Sequence, residues 1–411
     1  MEKPEELLPE YLNKDFLETA IQNYKHDKTI EIVKYFKKEG FTEHFASSMF
    51  QVEVKFRSRK YPKLEEETLN VVIKAKPVND GLKMSVVAGG PLFETEIEMY
   101  TKTIPAINQL FQQCGMKVEL APELIYATNI PFPVIILKDL GPEGYFAPRM
   151  PAADIEDSKL IIQRLAQFHA ASFYLSETKE HDFSNYNYTI YSNDVVIETF
   201  FRDTLEAFRE ILITWEGYED FIPRFDAFKE HVGEIGIKCY TANKPEDGYN
   251  VLNHGDFHLR NILFKMNSEN RLEAFRFIDY QISVYCSPAI DLAYVFGIIM
   301  RDENGNVPMN DLIVFYHEEF VKTLKAFGYM KTLPSLLDLN IELLKHGQIT
   351  ILLKVCFIPF AFVDWSTMKV EDMMATDGDK AKEFKKKLFE IPAVKTLLQN
   401  EMKEWMYKGW F

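Results

Sequence analysis

Cysteine is scarce and positive charge is in deficit. The four cysteines, Cys114, Cys239, Cys286 and Cys356, lie far apart and show no C-x-x-C spacing. They read as free thiols of a reducing cytosol rather than a disulfide framework. Lys and Arg together number 47 against 62 Asp and Glu, a net charge of −15. That balance argues against nucleic acid and anionic membranes as main partners. A nucleotide stays open, because magnesium and one or two local cations can meet its phosphates. The N-terminal run Met1-Glu-Lys-Pro-Glu-Glu is acidic and has no apolar centre, so no signal peptide is expected there. Repeats and low-complexity tracts are missing. The apolar stretch from Ile349 to Val363 carries Lys354 and is too short to span a bilayer; it reads as a buried helix.

What the chain does have is room for a core and one dense polar stretch. Its 411 residues, 47% hydrophobic and 27% charged, are enough for two lobes. The dense stretch is Val251-Leu-Asn-His254-Gly255-Asp256-Phe257-His258-Leu259-Arg260-Asn261, a loop between two apolar runs. Asp256 and Asn261 stand five positions apart on it. After a short hairpin comes Phe275-Arg-Phe-Ile278-Asp279-Tyr280-Gln281, an apolar strand whose end exposes a second acid. An Asp, an Asn and a strand-end Asp in this order are the parts that transfer a phosphoryl group from Mg-ATP. One Asp accepts the substrate's hydroxyl proton; the Asn and the other Asp hold the metal. Taken singly, each is an ordinary turn or capping residue. A metal pair at His254 and His258 would need a helix, which Gly255-Asp256 disfavours.

Upstream, a helical lead-in is expected over 7–25, with Tyr11, Phe16 and Ile21 as apolar contacts. Phe50 to Phe56 alternates at period two, a half-buried strand, and Tyr61-Pro62 signals a turn. Leu69-Asn-Val-Val-Ile-Lys74 reads as a buried strand ending in one lysine. A strand-end lysine is usually solvated, yet this one follows Val71-Val72-Ile73 where a kinase-like fold keeps the lysine that grips phosphates. The next helix, from Pro91 towards Phe111, offers Glu94, Glu96 and Glu98 as partners; Glu96 lies beside the apolar stripe of Phe93, Ile97 and Tyr100. Leu124-Ile-Tyr-Ala-Thr and the run Val134-Ile-Ile-Leu-Lys-Asp139-Leu140-Gly141 read as two more strands, and Gly141-Pro142-Glu-Gly144 as a break and hinge. The rest reads as mainly helical, with a helix from Asp157, one or two helices over 195–240, and a helix opened by Ser287 as N-cap and Pro288 as first residue. His169 reads as a packed core histidine. Asp291 either steadies the polar loop or complements the helix dipole.

These residues resemble the ecdysteroid kinase-like family, within the choline-kinase and aminoglycoside-phosphotransferase-like group. The carriers are Leu92-Phe-Glu-Thr-Glu-Ile-Glu-Met-Tyr100, Leu137-Lys-Asp139-Leu140, Leu165-Ala-Gln-Phe-His-Ala170, His254 to Asn261, Ile278-Asp-Tyr-Gln281 and Ser287-Pro-Ala-Ile-Asp-Leu292. The resemblance implies an α+β, bilobal protein-kinase-like fold. A small β-rich N-terminal lobe (1–140) would clamp ATP against a larger, mainly helical C-terminal lobe (141–411). It also implies ATP-dependent phosphorylation of a small-molecule hydroxyl, with ATP and Mg²⁺ as cofactors. By matching position Asp256 is the catalytic base, Asn261 and Asp279 are the magnesium ligands, and Lys74, Glu96, Ser47 and Asp139 belong to the nucleotide site. The acceptor is expected to be apolar, an ecdysteroid or a plant or xenobiotic compound, with the aromatic residues Phe360, Phe362 and Trp365 available for its pocket. The expected protein is a cytoplasmic monomer.

The chain departs from the family in Gly40-Phe-Thr42-Glu-His-Phe45-Ala-Ser47, where Thr42 stands for the glycine of the phosphate-covering loop, and at Gln51, where arginine is common. Glycine lets backbone N–H groups approach phosphates, so Ser47 and the remaining amides are left to that task. Thr42 motivates a rival reading, a pseudokinase that holds a hydrophobic ligand. A choline or aminoglycoside kinase is a third, and it would need an acidic acceptor pocket.

Overall fold

The computed structural model describes residues 8–38, 47–60, 66–77, 89–148, 155–296, 308–363 and 378–411. Contacts divide the chain into two compact units. The first holds 1–105, 119–146 and 263–281, and the second holds 106–118, 147–262 and 282–411. The boundary is crossed several times, unlike a single cut after residue 140.

The first unit is built on a five-stranded antiparallel sheet. Its strands are β1 (Ile30–Lys37), β2 (Ser48–Ser58), β3 (Glu67–Ala75), β4 (Leu124–Thr128) and β5 (Val134–Lys138), in the order β1-β2-β3-β5-β4. Alternation along the strands decides its faces. Phe50, Val52, Val54 and Phe56 of β2 and Val71, Ile73 and Ala75 of β3 point to one side, where Leu17, Ala20 and Ile21 of α1 (Lys14–Lys25) cover them. The residues between them, Lys74 included, therefore face the other side. The sequence reading did not foresee β1, whose Glu31, Lys34 and Lys37 dilute the apolar signal of a sheet-edge strand.

α2 (Leu92–Glu98) runs through a π-helical turn (Met99–Thr103) into α3 (Ile104–Gln113). Pro105 has no N–H for the carbonyl four residues back, and the ladder widens in the turn before it. The hairpin of β7 (Ile262–Met266) and β8 (Leu272–Phe277) joins the first unit through backbone bonds. Phe146 and Phe264 bridge each other, and the Phe277 N–H donates to the Leu120 carbonyl at 2.8 Å. The break at Gly141–Glu143 is a 3-10 turn closed by Gly144 at φ +89°.

The second unit is mainly helical. α4 (Ile155–Glu177) runs through its centre, with Ile161, Leu165, Phe168 and His169 buried. The segment 194–240 opens with one helical turn (Asp194–Val196) and holds three longer helices, where the periodicity suggests one or two. A π-helical turn (Ile197–Arg202) leads into α5 (Asp203–Leu212), followed by α6 (Ile222–Glu230) and α7 (Val232–Tyr240). Two short strands, β6 (Val251–Asn253) and β9 (Val284–Cys286), pair antiparallel and frame the polar loop. α8 (Ala289–Tyr294) begins one residue later than the Ser-Pro signal suggests; the Ser287 hydroxyl still accepts from the Ala289 N–H at 3.2 Å. α9 (Met309–Ala326), α10 (Leu336–Lys345), α11 (Gln348–Cys356), α12 (Gly378–Glu390) and α13 (Pro392–Lys408) complete it. The apolar stretch around Lys354 is buried, ending in a 3-10 turn at Ile358–Phe362, and the Lys354 ammonium pairs with Glu401 of α13. No single helix among the described residues is long and apolar enough to cross a membrane.

Candidate active site

In the first unit everything turns on the Lys74 ammonium. β3 aims it away from the apolar face of the sheet, towards α2. Glu96 is the one of the three helix glutamates that turns inward; Glu94 is exposed and Glu98 pairs with Lys102 at 3.2 Å. Lys74 Nζ donates to the Glu96 carboxylate, to the Asp279 carboxylate, and to Gln281 Oε1 at 3.1 Å. Asp279 holds its place with backbone φ +66°, a left-handed conformation uncommon outside glycine. Tyr280, between the two Lys74 partners, is fully buried; its ring meets Tyr100 edge-on at 5.7 Å and its hydroxyl lies 3.4 Å from the Leu120 carbonyl.

One buried cation thus serves two carboxylates. Burial alone would lower the Lys74 ammonium's pKa, but the charges of Asp279 and Glu96 outweigh it and raise it. Burial, with the Asp279 charge added, pushes the Glu96 carboxyl up to about 7 against the pull of Lys74. Two carboxyl groups share one ammonium, and Asp279 is the acid left partly open, with 20% of its side chain exposed against 1% for Glu96. That is the local chemistry a divalent cation fits.

Asp139 follows β5. Its carboxylate accepts from the Gly141 N–H at 2.9 Å and from Gln51 Nε2 at 3.3 Å, and lies 3.5 Å from Lys38 Nζ. Its side chain is thus committed to holding the turn, and its N–H donates to the Asn70 carbonyl at 2.9 Å, which leaves its backbone carbonyl for a ligand. Gln51, which stands where arginine is common, supports Asp139. Ser47 is buried just before β2. Thr42 and the loop around it lie outside the described residues, as does Trp365.

In the second unit the polar loop is clamped from behind. Asp291, fully buried on α8, accepts the His254 N–H on Oδ2 at 2.7 Å and the Gly255 N–H on Oδ1 at 3.0 Å. It therefore steadies the loop, one of the two roles open from sequence. His169 completes the clamp, with Nε2 3.1 Å from Asp291 Oδ2 and Nδ1 2.7 Å from the Tyr316 hydroxyl. Asn253 adds its own hold: Oδ1 accepts from the Asp291 N–H at 3.2 Å, and Nδ2 donates to the Ser287 carbonyl at 3.1 Å. Gly255 is required twice over. Its φ is +83°, and a Cβ there would come within 2.1 Å of the Ile282 carbonyl oxygen.

So held, the loop presents Asp256 and Asn261 together. Asn261 Nδ2 donates to the Asp256 carbonyl at 2.9 Å and to its Oδ2 at 3.0 Å. That leaves the amide oxygen of Asn261 as a ligand atom. Burial by itself would raise the Asp256 carboxyl, but the His258 ring beside it, with help from His254 and Asn261, holds it below the usual carboxylate range. His254 and His258 form no metal pair. His254 is buried with its ring against Phe257, and His258 caps a 3-10 turn (Leu259–Asn261). Among the described residues no cluster of three or more His, Cys, Asp and Glu side chains is set to hold a metal. A carboxylate such as Asp279 and an amide oxygen such as that of Asn261 are each, taken singly, hard donors of the kind Mg²⁺ takes alongside phosphates and water.

The bonds made by Gln281, Gln51, Asn253 and His258 are not legible in the sequence, although Gln51 stands out as a departure from the family and His258 as one of a candidate metal pair. A polar residue two positions from an essential acid was the available signal for Gln281 and His258. For Gln51 and Asn253 the partners are distant in sequence, and no local pattern points to those partners.

The sequence profile of the ecdysteroid kinase-like family matches residues 42–329, more than half of the chain. The chain belongs to the ecdysteroid kinase-like family. Membership makes it a kinase-like protein, as the α+β architecture accommodates. Among solved structures, an aminoglycoside 2'-phosphotransferase-IIIa mutant in complex with GDP is 15% identical, covers 95% of this chain and 100% of its own, and superposes with a TM-score of 0.44. A Plasmodium vivax ethanolamine kinase is 12% identical over 95% of this chain and 91% of its own, at 0.39. An aminoglycoside-3'-phosphotransferase of type VIII is 12% identical over 80% and 98%, at 0.35. Likenesses this distant bear on neither substrate nor residue roles. A search of curated proteins found no match.

Proposed function

We propose that this member of the family is an ATP-dependent small-molecule kinase acting on a hydroxyl of an apolar acceptor, a steroid or a plant or xenobiotic compound. The observation that carries the reading is the Lys74 ammonium held by both Glu96 and Asp279. A lysine shared between a helix glutamate and a metal-binding aspartate is the arrangement that steadies nucleotide phosphates.

In this reading Lys74 contacts the phosphates and Glu96 anchors it. Asp279 and Asn261 hold the magnesium, and Ser47 and the Asp139 carbonyl complete the nucleotide site. Mg-ATP supplies the phosphoryl group, and the metal offsets the charge that develops on it. Asp256 accepts the acceptor's hydroxyl proton; its depressed pKa keeps it ionised and ready as a base at neutral pH. The Asp291 clamp fixes where that carboxylate stands. The apolar acceptor is favoured by aromatic rings of the second unit: Phe360 is half-buried and near-parallel to Phe200, with centroids 6.2 Å apart, and Phe200 lies 5.3 Å from Phe357. Free thiols and the acidic net charge suit a cytoplasmic monomer.

The test is transfer of label from γ-labelled ATP across hydroxylated steroids, plant glycosides, aminoglycosides and choline, with and without Mg²⁺. Magnesium-dependent labelling of a steroid or plant hydroxyl is expected. Labelling confined to the cationic acceptors would refute the apolar assignment. Ligand binding without transfer to any acceptor would make the protein a binder.

A further inference from the structure

The Asp256 carboxylate is held by one oxygen only. Oδ2 lies 3.0 Å from Asn261 Nδ2 and 3.3 Å from His258 Nε2. Among the described residues, Oδ1 accepts no hydrogen bond. The His258 ring is fixed from its other side, because Nδ1 accepts the Arg260 N–H at 3.2 Å as His258 caps the Leu259–Asn261 turn. A ring nitrogen that accepts carries no proton, so the neutral imidazole has its proton on Nε2, facing Asp256. The 3.4 Å approach of Asn261 Nδ2 to His258 Nε2 is then two donors sharing one acceptor oxygen.

We propose that His258 is a positioning residue for phosphoryl transfer: together with Asn261 it occupies Oδ2 of Asp256, so that Oδ1 is the oxygen that takes the acceptor's proton. This rests on the phosphotransfer reading above. In the step, the acceptor oxygen forms its bond to the γ-phosphorus while its proton passes to Oδ1. The bond from that phosphorus to the β–γ bridging oxygen breaks, and its electron pair leaves with ADP. The Asp256 carboxylic acid afterwards releases the proton to solvent. Two contacts on Oδ2 fix the carboxylate's rotation, and with it the direction in which Oδ1 meets the hydroxyl.

Two substitutions separate the ring's two bonds. The amide nitrogen of His258→Gln reaches where Nε2 stands, keeping the donor to Asp256 while losing the cap. The amide oxygen of His258→Asn sits where Nδ1 stands, keeping the cap while losing the donor. His258→Gln is expected to keep kcat within about threefold, whereas His258→Asn loses about tenfold to a hundredfold in kcat with the KM for ATP little changed. Equal losses in both variants, or none in either, would overturn the proposal while wild-type turnover left the phosphotransfer reading standing. A wild type that transfers no phosphoryl group would take down both. Nitrogen-15 spectra of labelled histidine supply a readout that needs no variant of His258. They are expected to show Nε2 protonated, and to shift that signal in Asp256→Asn. A proton on Nδ1, or a signal indifferent to Asp256→Asn, would overturn the proposal even if His258→Asn failed to fold.

Discussion

Asp279 accepts a hydrogen bond from the Lys74 ammonium, and it does so from a left-handed backbone conformation, φ +66°. The acid that would hold magnesium is thus parked on the lysine that would hold phosphate. Asp279→Asn isolates the charge, since asparagine tolerates this conformation where alanine would add strain. The variant is expected to lose Mg²⁺-dependent stabilisation by ATP in a thermal melt. A melt shift as large as the wild type's would remove Asp279 from the metal site.

Glu96 gives a pH signature. Its carboxyl is raised from 4.5 to about 7 in the folded chain. Between those values the folded protein holds a proton that the unfolded chain has released, so this group's contribution to stability is full below 4.5 and lost as pH rises through about 7. Unfolding free energy measured across that window should fall with pH in the wild type and flatten in Glu96→Gln. Mg-ATP should weaken the slope by drawing Asp279, one of the charges that raise Glu96, away from the cluster. Equal slopes in wild type and Glu96→Gln would contradict the assignment.

Asp256→Asn is expected to cut turnover by about a hundredfold to ten-thousandfold, the usual worth of a positioned base, while ATP binding stays near normal. Single-turnover transfer and nucleotide titration read the two effects separately. Near-normal turnover in this variant would end the assignment of Asp256 as base.

Removing the clamp behind the loop should act through the loop. Asp291→Ala strands the buried N–H groups of His254 and Gly255, at about 1–3 kcal/mol each. Denaturant unfolding should show that loss, and kcat should fall with little change in the KM for ATP. Gly255→Ala should be at least as damaging, given its positive φ and the 2.1 Å approach to Ile282. A fully active Gly255→Ala would mean the loop geometry is not what sets Asp256.

Much of the candidate site was legible because its chemistry is local in sequence. The spacing of Asp256 and Asn261 puts both on one turn, and period-two alternation in Val71-Val72-Ile73-Lys74 sends Lys74 to the face opposite Ile73. Helical phase, with Phe93, Ile97 and Tyr100 on one stripe, singled out Glu96 over its neighbours. The strands from β2 to β5 were visible for the same reason, and β1 was not, since a strand carrying charge along its length has no clean period. Composition set limits: a net charge of −15 argues against nucleic acid as a main partner, and the scattered cysteines, free among the described residues, against a disulfide framework.

Tertiary structure alone decided which atoms meet across long separations. Asp291 reaches back 36 and 37 residues to two backbone amides, His169 reaches 122 residues to Asp291, and Lys74 binds Gln281 at a separation of 207. Sequence periodicity reports which face a side chain takes on its own element. It carries no record of which other element that face will meet, because that depends on how the hydrophobic faces of all the elements are buried at once.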